Sequence, residues 1–163
     1  MIDRELLIEK LRYDPVSGVF TWKKGNGKAA VGSVAGQKSS WGYVRISIGN
    51  KKYSAHHLAW LVVYGEWPKK QIDHIDGNKT NNAISNLRLV TASVNQLCNN
   101  RPRSNNKTGL VGVSPDRNRF KAQIKIDGKL MYLGSFATKE LAHAAYMAER
   151  SKHLAAHGIG VDA

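Results

Sequence analysis

The stretch from Gln71 to Gln96, QIDHIDGNKTNNAISNLRLVTASVNQ, decides how this chain is interpreted. An apolar residue leads into the pair Asp73-His74, a turn-rich polar loop follows, and NLRLV is typical of a short strand. Thr91 is of a residue type that caps helices, so the predicted order is strand, loop, strand, and a helix through Asn95. In that arrangement the end of the first strand and the first turns of the helix can face each other. We therefore expect Asp73, His74 and Asn95 to converge.

The residue types at these positions favour hydrolysis of a phosphodiester. A carboxylate and an amide oxygen are hard ligands that suit Mg²⁺ or Mn²⁺, and a neighbouring imidazole titrates near neutrality and can accept a proton from water. A simpler interpretation is a surface turn, since Asp-Gly and Asn-rich segments are common in turns. A calcium-binding EF-hand loop is excluded by spacing, because Ile75 and Gly77 stand where acidic or amide groups are needed.

Residues 53–98 resemble an HNH nuclease, the ββα-metal family, in its phage and intron homing-endonuclease branch. The motif IDHIDGNKTNNAISNLRLVTASVNQ carries the resemblance, and the upstream segments LRYDPVSGVFTWK and HHLAWLVVYG are similar to the lead-in of such enzymes. The resemblance implies that His74 is the general base and that Asn86 ties the loop between the strands. It further implies that Asp73 and Asn95 hold one divalent ion. Asn95 replaces the last histidine of the family name, which favours Mg²⁺ or Mn²⁺ over zinc or nickel.

The residues before this motif predict a helix, a hairpin and a second helix. Asp3 can cap a short helix whose leucines at positions 6, 7 and 11 share a face. The segment 25–40 is rich in small residues and is predicted to be a loop, whereas the alternation after it predicts a hairpin around Gly49-Asn50. The next helix opens with His56 and His57, for which a packing role is favoured and a phosphate or metal role stays open.

The residues after the motif predict a basic linker at 99–106 and a second small domain at 107–158. Apolar residues alternate with Arg119, Lys121, Gln123 and Lys125, and Asp127-Gly128 offers a hairpin turn, so one face of the sheet is apolar and the other basic. Thr138 can cap a final helix, in which Leu141, Ala144, Ala145 and Ala148 form a stripe of small apolar residues. We expect that stripe to pack on the apolar face of the sheet.

The segment TGLVGVSPDRNRFKAQIKIDGKLMYLGSFATKELAHAAYMAERSKH resembles the ethylene-response-factor (Apetala-two) DNA-binding domain. That resemblance implies a three-stranded sheet that enters the major groove with a helix behind it. The alternative is a basic face that is only solvated. The plant target sequence is not carried over, because Ser114 stands at a typical arginine position and Tyr132 at a tryptophan position. The outward residues matching the DNA-contacting positions are Arg117, Arg119, Lys121, Gln123, Lys125 and Tyr132.

The composition favours a polyanionic partner. The formal net charge is +13, and it is spread evenly, with 14 basic and 7 acidic residues in positions 1–98 and 11 basic and 5 acidic residues in positions 99–163. In the linker, Arg101, Arg103 and Lys107 are expected to follow phosphates, although a solubilising role is the alternative. The single cysteine rules out an internal disulfide. No apolar run is long enough for a membrane span, and no signal peptide is evident, so we expect a cytoplasmic protein of a bacterial or phage-infected cell.

The sequence as a whole predicts an α+β protein. Its first domain, 1–98, would be a ββα-metal HNH nuclease module with an N-terminal β-hairpin extension, and its second a small three-stranded antiparallel sheet packed on one helix. The predicted function is a site-preferring endonuclease that acts on double-stranded DNA with one Mg²⁺ or Mn²⁺ per active site. A monomer with no evident protein partner would nick one strand, whereas a double-strand break would require a dimer or two sequential events. The alternatives are a DNA-binding regulator with an inactive nuclease module, or a nuclease for RNA or branched DNA.

Overall fold

The structure, a computed structural model, describes residues 1–27, 29–98, 101–102 and 104–160. It mixes helices and strands and divides into two compact units, Met1–Val90 and Thr91–Ala163. The helix that carries Asn95 is grouped with the second unit, whereas the predicted first domain extended to residue 98. In the part of the chain that is described, no helix is long and apolar enough to cross a membrane.

The first unit opens with a capped helix and a hairpin. Helix α1 spans Arg4–Lys10, and the Asp3 side chain accepts a hydrogen bond from the Leu6 N–H, as predicted. Strand β1, Leu11–Tyr13, pairs antiparallel with β2, Phe20–Trp22. The predicted three-leucine face is wrong at Leu6, which is 38% exposed. Of the three leucines, Leu7 on α1 and Leu11 at the start of β1 are buried, whereas Leu6 lies on the side of the helix that faces solvent.

A three-stranded antiparallel sheet follows, with strand order β3-β4-β5. Its strands are β3, Gln37–Lys38, β4, Val44–Ile48, and β5, Lys51–Ser54. The predicted hairpin around Gly49-Asn50 is confirmed by the pairing of β4 with β5. The prediction of a loop at 25–40 is wrong at β3. That short strand is ordered by backbone pairing with β4, which leaves no periodic pattern in the sequence.

Helix α2, Ala55–Tyr64, closes the core of the first unit. Gly65 ends the helix in the left-handed conformation, with φ of 80°, and its N–H bonds the Leu61 carbonyl. The core consists of apolar side chains from α1, the strands and α2, and its largest fully buried side chains are those of Leu7, Phe20, Ile46 and Leu58. This core fixes the start of α2, which carries His56, and the sheet next to Tyr43.

The candidate motif forms an antiparallel strand pair. Strand β6, Gln71–His74, pairs with β7, Leu87–Val90, so that Asp73 lies opposite Arg88 and His74 opposite Leu87. A polar loop and a short 3₁₀ turn at Ile84–Asn86 connect the two strands. Asp73 and His74 are therefore the last two residues of β6, where the loop begins.

The second unit begins with helix α3, Ala92–Cys98, and the Thr91 hydroxyl accepts a hydrogen bond from the Val94 N–H. Strands β8, Val113–Asp116, β9, Arg119–Ile126, and β10, Lys129–Phe136, form an antiparallel sheet in the order β10-β9-β8. Helix α4 spans Lys139–Ala156, and Thr138 accepts from the Leu141 N–H. The predicted capping residues and the hairpin turn at Asp127-Gly128 are thus confirmed.

The face of α4 that is buried differs from the predicted stripe, of which Ala145 packs against the core of this unit. Leu141 is 55% exposed, and the buried residues are Ala142, Tyr146, Arg150 and Leu154. These four residues are spaced four apart and so form one row along the helix, which begins one residue after the start of the predicted stripe. Tyr146 contributes the largest apolar area to this row. Arg150 can be buried because its Nε donates to the Leu97 carbonyl over 2.7 Å.

The predicted linker is partly a folded segment. The Asn106 side-chain oxygen accepts from the N–H groups of residues 108 and 109, and its amide donates to the Leu110 carbonyl. Asn106 therefore organises the turn that leads into β8 and is not part of an unstructured spacer. Residues 99–100 and Arg103 lie outside the described residues, so the prediction for Arg103 stays a prediction.

Candidate active site and nucleic-acid interface

His74 lies at the end of β6 and is held by an amide from the following loop. The side chain is 6% exposed, and its Nε2 lies 3.2 Å from Oδ1 of Asn82. The Asn82 Nδ2 donates to the Thr80 carbonyl over 3.1 Å, which fixes the amide so that its oxygen faces the histidine. Because an amide oxygen only accepts, Nε2 must carry the proton. Nδ1 is then the basic nitrogen of the neutral ring.

The N-terminal hairpin supports the loop that carries Asn82. The Tyr13 hydroxyl donates to the Asn82 carbonyl over 2.8 Å, and the Ile84 N–H donates to the Pro15 carbonyl over 3.1 Å. Gly18, with φ of 73°, lies so close that a Cβ built there would be 2.2 Å from Ala83 N. The hairpin and the loop are thus in direct backbone contact. Asn82 is 2% exposed and was missed by sequence reasoning, which identified only a turn-rich polar loop after His74.

Asn86 fastens the two ends of the loop together. Its Oδ1 accepts from the Asp76 N–H over 3.0 Å, and its Nδ2 donates to Asp76 Oδ1 and to the Asn81 carbonyl, both over 2.9 Å. Burial would raise the pKa of Asp76, but hydrogen bonds from Asn81 and Asn86 outweigh it and hold the pKa below its usual value. Asp76, in the Asp-Gly pair that sequence reasoning attributed to a simple turn, is therefore an ionised anchor of the loop.

Asp73 is paired with a cation across the strand pair. Arg88 donates from Nε over 2.8 Å and from Nη2 over 2.7 Å, and both contacts go to Asp73 Oδ2. The side chains of Asp73 and Arg88 are only 15% and 25% exposed, so the pair is weakly screened by water. Sequence reasoning missed Arg88. Its position directly opposite Asp73 becomes evident only from the strand register.

A cluster of aromatic rings surrounds His74. The His56 ring lies edge-on to the His74 ring at a centroid distance of 5.2 Å, and the Tyr43 ring lies 6.1 Å from His74 and 5.3 Å from His56. Burial lowers the pKa of His56 to about 3, with further contributions from His57, His74 and Arg45. His56 is therefore neutral at physiological pH, and its buried Nδ1 has no hydrogen-bond partner among the described residues.

The predicted metal ligands are distributed over both units. Asp73 lies in the first unit, whereas Asn95 lies on α3 in the second, with its N–H bonded to the Thr91 carbonyl over 2.9 Å. The described residues contain no group of three or more His, Cys, Asp or Glu side chains that could hold a metal ion. A carboxylate with an amide is a donor set suited to Mg²⁺ or Mn²⁺ and poorly suited to softer ions. The convergence of Asn95 with Asp73 stays a prediction.

The open face of the second sheet is basic. Along β9, Ala122 and Ile124 are buried, while Arg119 and Lys125 are exposed and Lys121 and Gln123 are half-buried. The register places Gln123 beside Tyr132, which is 60% exposed, and Lys121 between Ser114 and Ser135. Arg119 lies across the sheet and donates to the Ser135 carbonyl over 2.8 Å. Arg117 differs from the others because it lies in the turn before β9, with φ of 53°.

Two predicted linker residues join this face around one groove. Arg101, Lys107, Gln123 and Lys125 all line a cavity of about 800 Å³ within the second unit. The structure thus brings together four side chains that were predicted to contact DNA, from a segment before β8 and from β9. Their roles in binding stay predictions, and the groove is a candidate path for a polyanion.

A family model described as HNH endonuclease matches residues 53–97. The matched residues include α2, the β6–β7 pair and α3, and they contain His74, Asn86 and Asn95. The chain is also 34% identical over 101 residues to Protein 3.8 of Escherichia phage T7, and the match covers 60% of this chain and 83% of that protein. Residues 53–97 of this chain are thus an HNH endonuclease domain.

Two further relatives carry the family in their names. An uncharacterised HNH endonuclease of Acanthamoeba polyphaga mimivirus is 38% identical over 97 residues, which is 58% of this chain and 50% of that protein. The third relative is a prophage-derived protein of Bacillus subtilis, whose name describes it as a putative HNH homing endonuclease. It is 39% identical over 57 residues, and the match covers 34% of this chain and 33% of that protein. The match thus spans half or less of these two relatives. No solved structure gives a significant match.

Proposed function

We propose that this protein is a site-preferring DNA endonuclease that hydrolyses phosphodiester bonds with a histidine general base and a divalent metal ion. The observation that carries the proposal is the fixed orientation of His74 in a domain that the comparisons assign to the HNH endonucleases. An imidazole held in one tautomer, at the end of a strand and beside a carboxylate, is suited to accepting a proton from water.

His74 would act through Nδ1. Asn82 holds the proton on Nε2, so the lone pair on Nδ1 is available to a water molecule that attacks phosphorus. Asn86 and Asp76 act indirectly in this proposal, because their hydrogen bonds fix the loop that positions Asn82. The neutral rings of His56 and Tyr43 pack against His74 and limit its rotation.

Asp73 and Asn95 are the proposed ligands of one Mg²⁺ or Mn²⁺. The Arg88 Nε and Nη2 contacts described above go to Oδ2 of Asp73, and Oδ1 is the proposed ligand atom. A divalent ion bound there would offset negative charge on the transition state and on the leaving 3′ oxygen. The expected products carry 5′-phosphate and 3′-hydroxyl ends, as the family resemblance implies.

The second unit is the proposed targeting part. We infer that the basic sheet face carries DNA contacts in the manner of the ethylene-response-factor resemblance, which the family match does not include. Replacing Arg119 and Lys121 with alanine should lower the slope of log affinity against log salt by about 1.8, because about 0.9 counterion is released for each phosphate contact. Replacing Lys139 and Lys152 on α4 removes the same charge from the helix, and should leave most of the slope intact.

The nuclease proposal is tested with supercoiled plasmid, incubated with the protein in Mg²⁺, in Mn²⁺ or in EDTA. We expect relaxed circles with either metal and none in EDTA. Binding to DNA without cleavage in any metal would instead show a regulator with an inactive nuclease module. Competition by structured RNA or branched DNA that exceeds competition by linear duplex would identify a different substrate class.

A further inference from the structure

A cavity of about 350 Å³ in the first unit lies beside the candidate active site. It is lined by side chains from the sheet, the start of α2 and the β6–β7 loop, namely Ser39, Trp41, Tyr43, Arg45, Ser54 and Lys79. These six residues comprise two cations, two aromatic residues and two serines, and none of the six is acidic. The volume lies at the lower end of the range of roughly 300 to 1,000 Å³ that small-ligand sites occupy.

Trp41 presents an aromatic face to solvent from an ordered turn. It is 79% exposed, whereas Trp22 is buried and the other two tryptophans are half-buried. The turn is fixed by backbone hydrogen bonds from Ser39 N to the Tyr43 carbonyl and from Gly42 N to the Ser39 carbonyl, of 2.8 and 2.9 Å. An exposed aromatic ring that is held in place by an ordered turn offers a flat face on which a base can stack.

Lys79 joins this turn to the loop of the active site. Its Nζ donates to the Trp41 carbonyl over 3.3 Å and lies 4.7 Å from the centroid of the Tyr43 ring. Arg45 is exposed on the same wall and uses one nitrogen to donate to the Lys52 carbonyl. An Arg and a Lys beside an aromatic ring match the chemistry of a nucleotide, which combines an anionic phosphate with a flat base.

The position of Tyr43 connects this cavity with His74. The same tyrosine ring that lines the cavity lies 6.1 Å from the His74 ring. A nucleotide in the cavity would therefore lie about one side chain away from the general base. That separation is appropriate for a nucleotide that flanks the scissile phosphate.

We propose that this cavity is a subsite for a nucleotide next to the scissile phosphate, with its base unpaired from the duplex and stacked on Trp41, and with a phosphate contacted by Lys79 and Arg45. The inference rests on the proposed function, since the substrate is taken to be DNA. It adds binding residues in the first unit, whereas the basic face described above lies in the second. The stacking contact includes no base-specific hydrogen bond, so it would fix the position of the nucleotide without selecting a particular base.

The test is the tryptophan emission of the protein during titration with a short duplex of mixed sequence, in EDTA so that the DNA stays intact. Binding should quench the emission of the wild type. Trp41→Phe keeps a stacking ring, so it should bind within about threefold of wild type yet lose most of the quenching. Trp60→Phe is the matched control, because it removes a tryptophan outside the cavity and should keep the quenching.

A second variant measures the energetic contribution of the ring. Trp41→Ala should weaken binding of the same duplex roughly 5- to 150-fold, the range measured for stacking of one base on an aromatic side chain. Circular dichroism of this variant should match wild type, because an exposed side chain contributes little to the core.

The outcomes separate this inference from the proposed function. Plasmid nicking together with unchanged quenching in Trp41→Phe, or with wild-type affinity in Trp41→Ala, would overturn the subsite and leave the nuclease intact. Quenching that depends on Trp41 without any nicking would support the subsite and count against the nuclease. Absence of any binding to the duplex would overturn the subsite.

Discussion

Replacing Gly18 with alanine tests whether the N-terminal hairpin holds the active-site loop in place. A Cβ at position 18 would lie 2.2 Å from Ala83 N and 2.2 Å from the Asn82 carbonyl carbon, where ordinary contacts begin near 3.4 Å. The loop must therefore withdraw by roughly 1 Å, a displacement that is costly in a close-packed interior. The hydrogen bonds from the Tyr13 hydroxyl to the Asn82 carbonyl and from the Ile84 N–H to the Pro15 carbonyl are then strained or lost.

The matched control is Gly32→Ala. Gly32 has φ of 82°, close to the 73° of Gly18, but nothing lies within 4 Å of a Cβ built there. Both variants incur the cost of a left-handed alanine, about 1–2 kcal/mol. Gly18→Ala should lose a further 2 kcal/mol or so, because two hydrogen bonds of about 1 kcal/mol each are strained or lost.

Urea unfolding measures the stabilities, and single-turnover nicking of plasmid measures the catalytic consequence. Because the loop carries the Asn82 that orients His74, a displacement of about 1 Å should slow nicking by roughly 100-fold in Gly18→Ala. Gly32→Ala should nick at nearly the wild-type rate. Equal losses of stability and equal nicking rates in the two variants would refute the argument that the hairpin supports the site.

Three further predictions concern the residues around the strand pair. The folded-state pKa of His56 is about 3 against an ordinary 6.5, so its contribution to stability is complete above pH 6.5 and declines as the pH falls. Between pH 6.5 and about pH 5, the unfolding free energy of His56→Gln should therefore fall by about 2 kcal/mol less than that of wild type. Identical pH profiles of the two proteins would count against burial of a neutral ring. Asn86→Ala removes the three hydrogen bonds of its side chain, so urea unfolding should show a loss of about 2–4 kcal/mol, whereas a loss under about 1 kcal/mol would show that the loop holds without it. Arg88→Gln removes a positive charge beside Asp73, so calorimetry should show Mn²⁺ binding tightened about tenfold, and unchanged or weaker binding would contradict a metal at Asp73.

Local sequence signals predicted most of the elements. Asp3, Thr91 and Thr138 each accept the helix-capping hydrogen bond expected of their side chains. The Gly49-Asn50 and Asp127-Gly128 turns each connect two strands that pair with each other, at the point where the alternation of apolar residues along the first strand ends. These features depend on neighbours within a few residues, which is why the sequence alone was sufficient for them.

Features that depend on distant residues were not predicted. Strand β3 is ordered by its partner β4, and the buried row of α4 is set by which helix face meets the sheet. Burial of Arg150 requires the Leu97 carbonyl, 53 residues earlier in the chain. Periodicity within one segment contains no information about such partners.

The candidate site shows the same division. The motif singled out His74, which lies at the end of β6, and Asn86, whose side chain holds the following loop, whereas the contacts of Asn82, Asp76 and Arg88 were missed. Asn82 looked like one of several asparagines in a turn, and only folding shows that its amide faces His74 while its carbonyl is held by Tyr13. The contribution of Arg88 follows from register, since it is opposite Asp73 across the strands.

The central claim, that His74 is the general base of a DNA endonuclease, is tested most directly by the nicking rate of His74→Ala on supercoiled plasmid in Mg²⁺. Val31→Ala is a suitable control, because Val31 is 68% exposed and lies outside the site. The account predicts a loss of about 10²- to 10⁴-fold for His74→Ala, the usual contribution of general base catalysis, and no loss for the control. Relaxed plasmid formed by His74→Ala at the wild-type rate would contradict it.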